Sequence, residues 1–557
     1  MSWQELQERH EGTLAQALES VRQRSFFAHW VEVPSGKFYG EQAHEAGQAR
    51  FESLRNRPFE ELLQQRSEGW VGEEFSPYGF ELGISYPRLE VAQAVAQAQA
   101  AQRQWRRIPV RARAAILLEV LQDAAQEFFS IAYATMHTTG QGFVMAFQAS
   151  GPHAFDRALE AVATGVLALE SFAPEALWVK PIGKGEVRLR KRFLPVPKGI
   201  GAVIGCSTFP LWNSMPGIFA NLITGNACIV KPHPAVILPL ALFVARAQRV
   251  FERLGLNPHL LTLLPCTAEQ PLTLELAEHP EVRIVDYTGS PEFGTELERR
   301  LAGKVVFTEK AGVNCVLVHS LSQPESMLEN LAFSLCLYSG QMCTAPQNIL
   351  VPATGVETPQ GRWSAEEFAE RLRAAIDALV SNEKLGPPTL GAIQNERTLE
   401  RVRQARALGL PIVRDSAPIA QPGFPNARTA TPLVLWAEAP RDAHIYGREW
   451  FGPISFLVRV PDVEAGITEI ARLVRTAGAL VCSLYCSEEA LQQRALQELA
   501  ESGVPVALNF TGPVWINQSA AYSDFHGTGL TPAGTASFTD LAYVSARFGI
   551  VGIREVL

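Results

Sequence analysis

The residue best suited to covalent chemistry is Cys343, in the stretch SGQMCTAPQ at 339–347. A nucleophilic thiol needs a sharply turned, accessible position near backbone amides, where the thiolate is favoured over its ordinary pKa of ~8.5. The Gly-Gln turn after an apolar helical run offers such a position. Upstream, VVFTEKAGVN (305–314) ends a strand in Glu309, beside Lys310 and small residues, where a carboxylate can act as a general base. Two further stretches carry weaker signals. DYTGSPEFG (286–294) follows a strand and opens a helix, so its backbone amides can face a phosphate. REWFGPI (448–454) sets an acid and two aromatics before a Gly-Pro turn and an apolar strand. Each stretch also has an ordinary reading: a buried thiol, a salt-bridged glutamate, two structural turns.

The elements that would position these residues begin near residue 200, where strand and helix patterns alternate. GIGAVIG, ACIVKP, LLTLLP and VRIVDYTGS read as strands, with helices between them. A second series follows Glu309, from NCVLVHS through NILVPA, SFLVRV and ALVCSLYC to VPVALNF. Short β-rich runs alternating with helices imply parallel sheets of Rossmann type. The expected fold class is therefore α/β, two doubly wound parallel-sheet domains with the chemistry in the cleft between them. Before residue 200 the pattern is helical, with amphipathic runs at 89–105 and 110–129 and polar helices over residues 1–70. GEVRLRKRFLPVPKG (185–199) alternates basic and apolar residues as an exposed strand does.

Composition narrows the function. The 557 residues carry a formal net charge of -8, which gives no attraction for phosphate backbones and argues against nucleic acid as a partner. No apolar run reaches the ~18 residues of a membrane span, and the N terminus lacks a signal-peptide core. A cytoplasmic enzyme without a membrane partner is expected. The 8 cysteines are scattered and form no CxxC pair, so neither a disulfide framework nor a metal site is expected.

In their order and spacing these stretches, together with IVKPHP (229–234), resemble the aldehyde dehydrogenase family from about residue 85 to the C terminus. The resemblance implies roles. Cys343 in GQMC is the nucleophile, and Glu309 in EKAG the general base. Gly289, Ser290 and Gly294 form the cofactor turn, Glu449 and Phe451 hold the nicotinamide ribose, and Lys231 binds the adenosine ribose. The implied reaction is NADP- or NAD-dependent oxidation of an aldehyde to the acid through a cysteine thioester. The implied domains are a helical N-terminal extension (1–80), a dinucleotide-binding domain (81–175 and 198–307) and a catalytic domain (308–534). A small β oligomerisation arm (176–197 and 535–557) completes them; its C-terminal strand is expected in LAYVSARFGIVGI (541–553), and it implies a homodimer or a dimer of dimers.

Two departures from the family pattern matter. Thr208-Phe209-Pro210 stands where an Asn-Phe-Pro triplet is usual, so Thr208 inherits the oxyanion-donor position, with the later Asn213 as its alternative. Pro234 stands where NAD-preferring relatives carry Glu, so Lys231 with His233 is expected to accept a ribose 2′-phosphate. Within the family, the N-terminal extension, CSTFPLWNSMPG and HGTGLTPAG (526–534) are most similar to stand-alone aldehyde dehydrogenases of bacterial phenylacetate degradation. That similarity implies a CoA-linked semialdehyde formed by ring opening. His526 is open to either a substrate contact or a structural role. A CoA-acylating dehydrogenase and a catalytically silent scaffold are the rival readings; Glu309 argues against the first, and Cys343 with Glu309 against the second.

Overall fold

The computed structural model describes residues 3–64, 67–310, 312–515 and 518–557. The first sheet has five strands in the order Val305–Lys310, Val282–Gly289, Ile200–Ile204, Ala227–Lys231, Leu261–Leu263. All its pairings are parallel, and the chain reverses direction of travel at Ile200–Ile204, the switch point of a doubly wound sheet. Ile200–Ile204 and Ala227–Lys231 are buried at every position, as strands covered by helices on both faces must be.

The second sheet has seven strands in the order Ile412–Arg414, Leu433–Glu438, Ile454–Val460, Asn348–Pro352, Cys315–Val318, Cys482–Tyr485, Val506–Leu508. Only its edge pair, Ile412–Arg414 with Leu433–Glu438, is antiparallel. Alternate residues of one strand feed separate cores: Cys315 and Leu317 pack on one face, Val316 and Val318 on the other.

The N-terminal segment is part of the first domain's core. Its opening helix, Trp3–Gln23, buries Leu6, Leu14, Ala17 and Leu18 at helical spacing, in one cluster with the sheet residues. Further on, the Glu74 carboxylate accepts from the amides of Ile237 (2.5 Å) and Leu238 (3.0 Å), capping the helix that follows Lys231.

The strands of a third sheet are mostly exposed. Glu175–Ile182, Gly185–Pro197 and Phe548–Val556 form an antiparallel ribbon with Gly185–Pro197 in the centre. The end of the chain differs from expectation in two places. Residues expected as one strand over 541–553 form a helical turn, Leu541–Ser545, before the strand Phe548–Val556. Asp540 caps that turn, its carboxylate accepting from the Tyr543 amide at 2.6 Å. Residues 535–540, placed in the arm by sequence, instead start against the strand of Glu309, where the Thr535 amide donates to Thr308 O at 3.0 Å.

Candidate active site

Cys343 follows a turn with left-handed backbone at three consecutive residues: Tyr338 (φ 51°), Ser339 (φ 48°) and Gly340 (φ 63°). Such a run is strained for residues with a side chain and must be held from outside. Ser339 Oγ donates to Leu390 O (3.1 Å) and Ala430 O (3.0 Å). The buried Gln341 donates to Tyr338 O and Ala392 O and accepts from Gln394 N (2.9 Å). At Gly340 no side chain fits, because a Cβ would lie 2.5 Å from Gly452 O. The glutamine and glycine beside the cysteine are therefore the clamp of this turn.

Past the thiol, Asn314 Nδ2 donates to Cys343 O (2.8 Å) and Ala345 O (3.0 Å), while its Oδ1 accepts from Leu480 N (2.9 Å). Gln347 then ties the nucleophile segment to the REWFGP loop, donating to Arg448 O (3.0 Å) and accepting from Trp450 N (2.7 Å). None of these amide side chains was singled out from the sequence, since each acts on residues distant in the chain.

Glu309 lies one residue from the end of its strand and is buried. Of the motif EKAG, Ala311 lies outside the described residues. Two donors hold the carboxylate: Asn213 Nδ2 reaches Oε2 at 3.1 Å, and His526 Nε2 lies 3.1 Å from Oε1. The Cys343 sulfur lies within 4.8 Å of this carboxylate. Burial pushes this thiol well above its ordinary range, and the Glu309 charge and hydrogen bond raise it further; its own backbone amide opposes. The resting sulfur is thus a thiol with a proton acceptor beside it. Among the described residues, Glu309, Cys343 and His526 each bring one donor atom within 4.8 Å of the others. Glu309 and His526 are hydrogen-bonded to each other, so the cluster reads as an acid–base group.

Thr208 is placed differently from expectation. Its hydroxyl turns to Cys206 Sγ at 3.9 Å, and its carbonyl accepts from Gln141 Nε2 at 2.7 Å. The amide that reaches the Cys343–Glu309 pair is that of Asn213, in the first turn of the helix Pro210–Ile223. Phe209 and Tyr338 pack with Met145, Cys206, Trp212 and Met342 into an apolar cluster at this point.

The expected cofactor residues line the ends of the first sheet's strands and the loop facing them. Ser290 caps the helix Pro291–Arg300, its hydroxyl accepting from Phe293 N at 3.4 Å. Gly294 lets that helix lie on Lys310, whose side chain a Cβ would meet at 2.8 Å. Gly289 is packed under the Tyr287 ring. Lys231 is buried, and its side chain makes no hydrogen bond or ion pair among the described residues. Glu449 likewise makes no hydrogen bond there; burial pushes its carboxyl up to about 8, opposed by Arg401 and assisted by Glu292. Arg401 holds the carbonyl of Phe451. A buried ammonium and a desolvated carboxylate without partners suit the hydroxyls of a dinucleotide's two riboses. His233 departs from its expected role. Its Nδ1 accepts from Ala235 N (3.2 Å), and burial with Lys231 and Arg397 nearby lowers it to about 4, so it is neutral at pH 7.

A thiol and a carboxylate brought together in this α/β fold suit covalent catalysis, and comparison with known proteins identifies the class. The sequence profile of the aldehyde dehydrogenase family matches residues 85–537, and the chain belongs to that family. A crystal structure of an NAD-dependent aldehyde dehydrogenase from Burkholderia multivorans is 43% identical, covers 99% of both chains and superposes with a TM-score of 0.96. A 1-pyrroline-5-carboxylate dehydrogenase from Thermus, solved with bound NAD, shares the fold at 19% identity and a TM-score of 0.75, covering 96% of this chain and 99% of that one. N-succinylglutamate 5-semialdehyde dehydrogenase of Burkholderia thailandensis is 29% identical over 320 residues, 56% of this chain; the match spans 60% of that relative's length. Among the described residues no helix is long and apolar enough to cross a membrane.

Proposed function

We propose that the protein oxidises an aldehyde to its carboxylic acid through a thioester on Cys343, with NADP or NAD as oxidant. The observation that carries this reading is the Cys343 sulfur within 4.8 Å of a Glu309 carboxylate that Asn213 and His526 hold in place. In the first step Glu309 takes the thiol proton, and the sulfur pair bonds the aldehyde carbon. The carbonyl electrons move to oxygen, where the Cys343 amide and the Asn213 or Thr208 side chain are the donors available. When bound, the dinucleotide supplies the oxidation, accepting hydride from that carbon and leaving the thioester. Glu309 gives the thiol proton up to solvent and then takes a proton from water as the water oxygen attacks the thioester carbon. The C–S pair returns to sulfur with a proton, and the acid departs. Lys231, the Ser290 turn and Glu449 hold the dinucleotide.

For the substrate we infer a semialdehyde on a larger acyl group, CoA-linked and derived from phenylacetate ring opening. The segments CSTFPLWNSMPG and HGTGLTPAG support this, since both stand at Glu309, through Asn213 and His526. The apolar cluster around Phe209 and Tyr338 suits a carbon chain leading to the aldehyde. The test is a panel of aldehydes, including CoA-linked semialdehydes, mixed rapidly with enzyme and either NAD or NADP. A burst of reduced cofactor that is absent in Cys343→Ala is the expected result. Near wild-type turnover by Cys343→Ala refutes the thioester, and preference for simple aldehydes over CoA-linked ones refutes the substrate class.

A further inference from the structure

His526 lies in the loop after the last strand of the second sheet, 217 residues from Glu309 in sequence, yet its Nε2 is 3.1 Å from the Glu309 carboxylate. The imidazole is buried and stands edge-on to Trp212 at 4.6 Å, with Phe538 on another side at 5.9 Å. Its other nitrogen, Nδ1, faces Ser519 Oγ at 3.3 Å. Ser519 Oγ in turn accepts from Arg157 Nη2 at 3.0 Å. Arg157 is buried, fixed by Glu160 at 2.8 Å and by the Asp524 carbonyl at 3.0 Å.

Of the two neutral imidazole tautomers, one donates to a charged Glu309. Arg157 occupies a lone pair of Ser519, so the serine hydroxyl is free to donate to Nδ1. Nδ1 then accepts, the ring proton sits on Nε2, and Nε2–H donates to the carboxylate. Both partners are buried, Glu309 at 4% and His526 at 5% exposure. Bulk solvent therefore does not compete for this bond, and a shielded hydrogen bond to a charge is a strong one.

We propose that His526, oriented by Arg157 through Ser519, is a positioning residue that holds the Glu309 carboxylate toward Cys343. This rests on the reading of Glu309 as the base. In each proton transfer the proton moves between Glu309 and sulfur or water, while the Nε2–H bond stays intact and keeps the accepting oxygen in place. The imidazole contributes orientation and takes no proton itself.

The test uses p-nitrophenyl acetate, which acylates the thiol without any cofactor. Sulfur bonds the acetyl carbon, p-nitrophenolate leaves with its electron pair, and water then releases acetate. The burst reports acylation, and the slow phase reports deacylation by the Glu309-activated water. His526→Phe keeps a ring against Trp212 and Phe538 but removes the donor. It should slow deacylation by about tenfold or more, with the ester concentration for half-maximal burst rate changed by less than about twofold. His526→Gln, whose amide can reach the place of Nε2, should restore most of that rate. Thermal melting checks that each variant is folded; if His526→Phe is not, His526→Ala takes its place. Glu309→Gln is the control for the underlying reading. If Glu309→Gln deacylates as wild type does, the base assignment itself is lost. If Glu309→Gln fails to deacylate while the folded His526 variant keeps wild-type deacylation, only the role of His526 is overturned. Failure of His526→Gln to rescue also overturns it, by making the ring's shape rather than its donor the requirement.

Discussion

Replacing Glu309 by Gln should move two observables in opposite directions. The substitution keeps the volume and most of the hydrogen bonding. The new amide oxygen can accept from Asn213, and the amide nitrogen can donate to His526 once the ring proton shifts to Nδ1 and faces Ser519. The cost in stability should therefore stay near one neutral hydrogen bond, about 1 kcal/mol. Catalysis loses its proton acceptor, and a positioned general base is typically worth about 10²–10⁴-fold, or roughly 3–5 kcal/mol of barrier. An acyl adduct on Cys343 should accumulate during turnover and be visible by intact mass. The thiol itself responds the other way. Part of its elevation comes from the Glu309 charge and hydrogen bond, so removing them should let the Cys343 titration midpoint fall. Alkylation by iodoacetamide across a pH series, mapped to the Cys343 peptide, reads that midpoint. Fast turnover with no adduct, or a midpoint that stays or rises, would falsify the assignment.

Three further outcomes are expected. Because ribose hydroxyls donate to an ionised Glu449 and its free carboxyl titrates at about 8, cofactor binding should tighten as pH rises through that value. KM for the cofactor should fall about tenfold between about pH 7 and about pH 9, and Glu449→Gln should show a flat profile; an equally steep profile in the variant would remove Glu449 from the cofactor site. With Pro234 in place of an acid, kcat/KM with NADP should at least equal that with NAD, and Pro234→Glu should shift the ratio toward NAD by about tenfold, about 1.4 kcal/mol. The neutral His233 leaves Lys231 to carry the attraction, so a strong wild-type preference for NAD counts against it. Finally, Leu177, Val179, Leu194, Ile550 and Val551 are exposed on the three-stranded ribbon, so scattering should give a dimer or dimer of dimers, and a monomer at micromolar concentration would contradict that role.

How much of this was legible in the sequence follows from how local each signal is. Strands such as Ile200–Ile204 and Ala227–Lys231 announce themselves because burial on both faces demands an unbroken apolar run. Glu309 stands out near the end of such a strand, and Cys343 in a short motif after an apolar helical run. The antiparallel edge strand Ile412–Arg414 is only three residues long and has no such signature. Asn213 shows the harder limit. Counting along a motif favoured Thr208, but one helical turn carries Asn213 to a carboxylate 96 residues away. His526 reaches the same carboxylate across 217 residues. Contacts of that range are made by the fold and leave no spacing to count.

The way the N-terminal segment is built in has a consequence for synthesis. Glu74 caps a helix 163 residues downstream, and Gln64 bonds Leu263 across 199. At about 5–20 residues per second, the ribosome leaves those early side chains without partners for on the order of ten seconds. Leu6 and Leu14 likewise wait for the helices Val110–Ala124 and Pro152–Leu169, and Phe51 for His137. The opening stretch is thus a passenger that must stay soluble until the first sheet emerges, and holding chaperones would find their grip there.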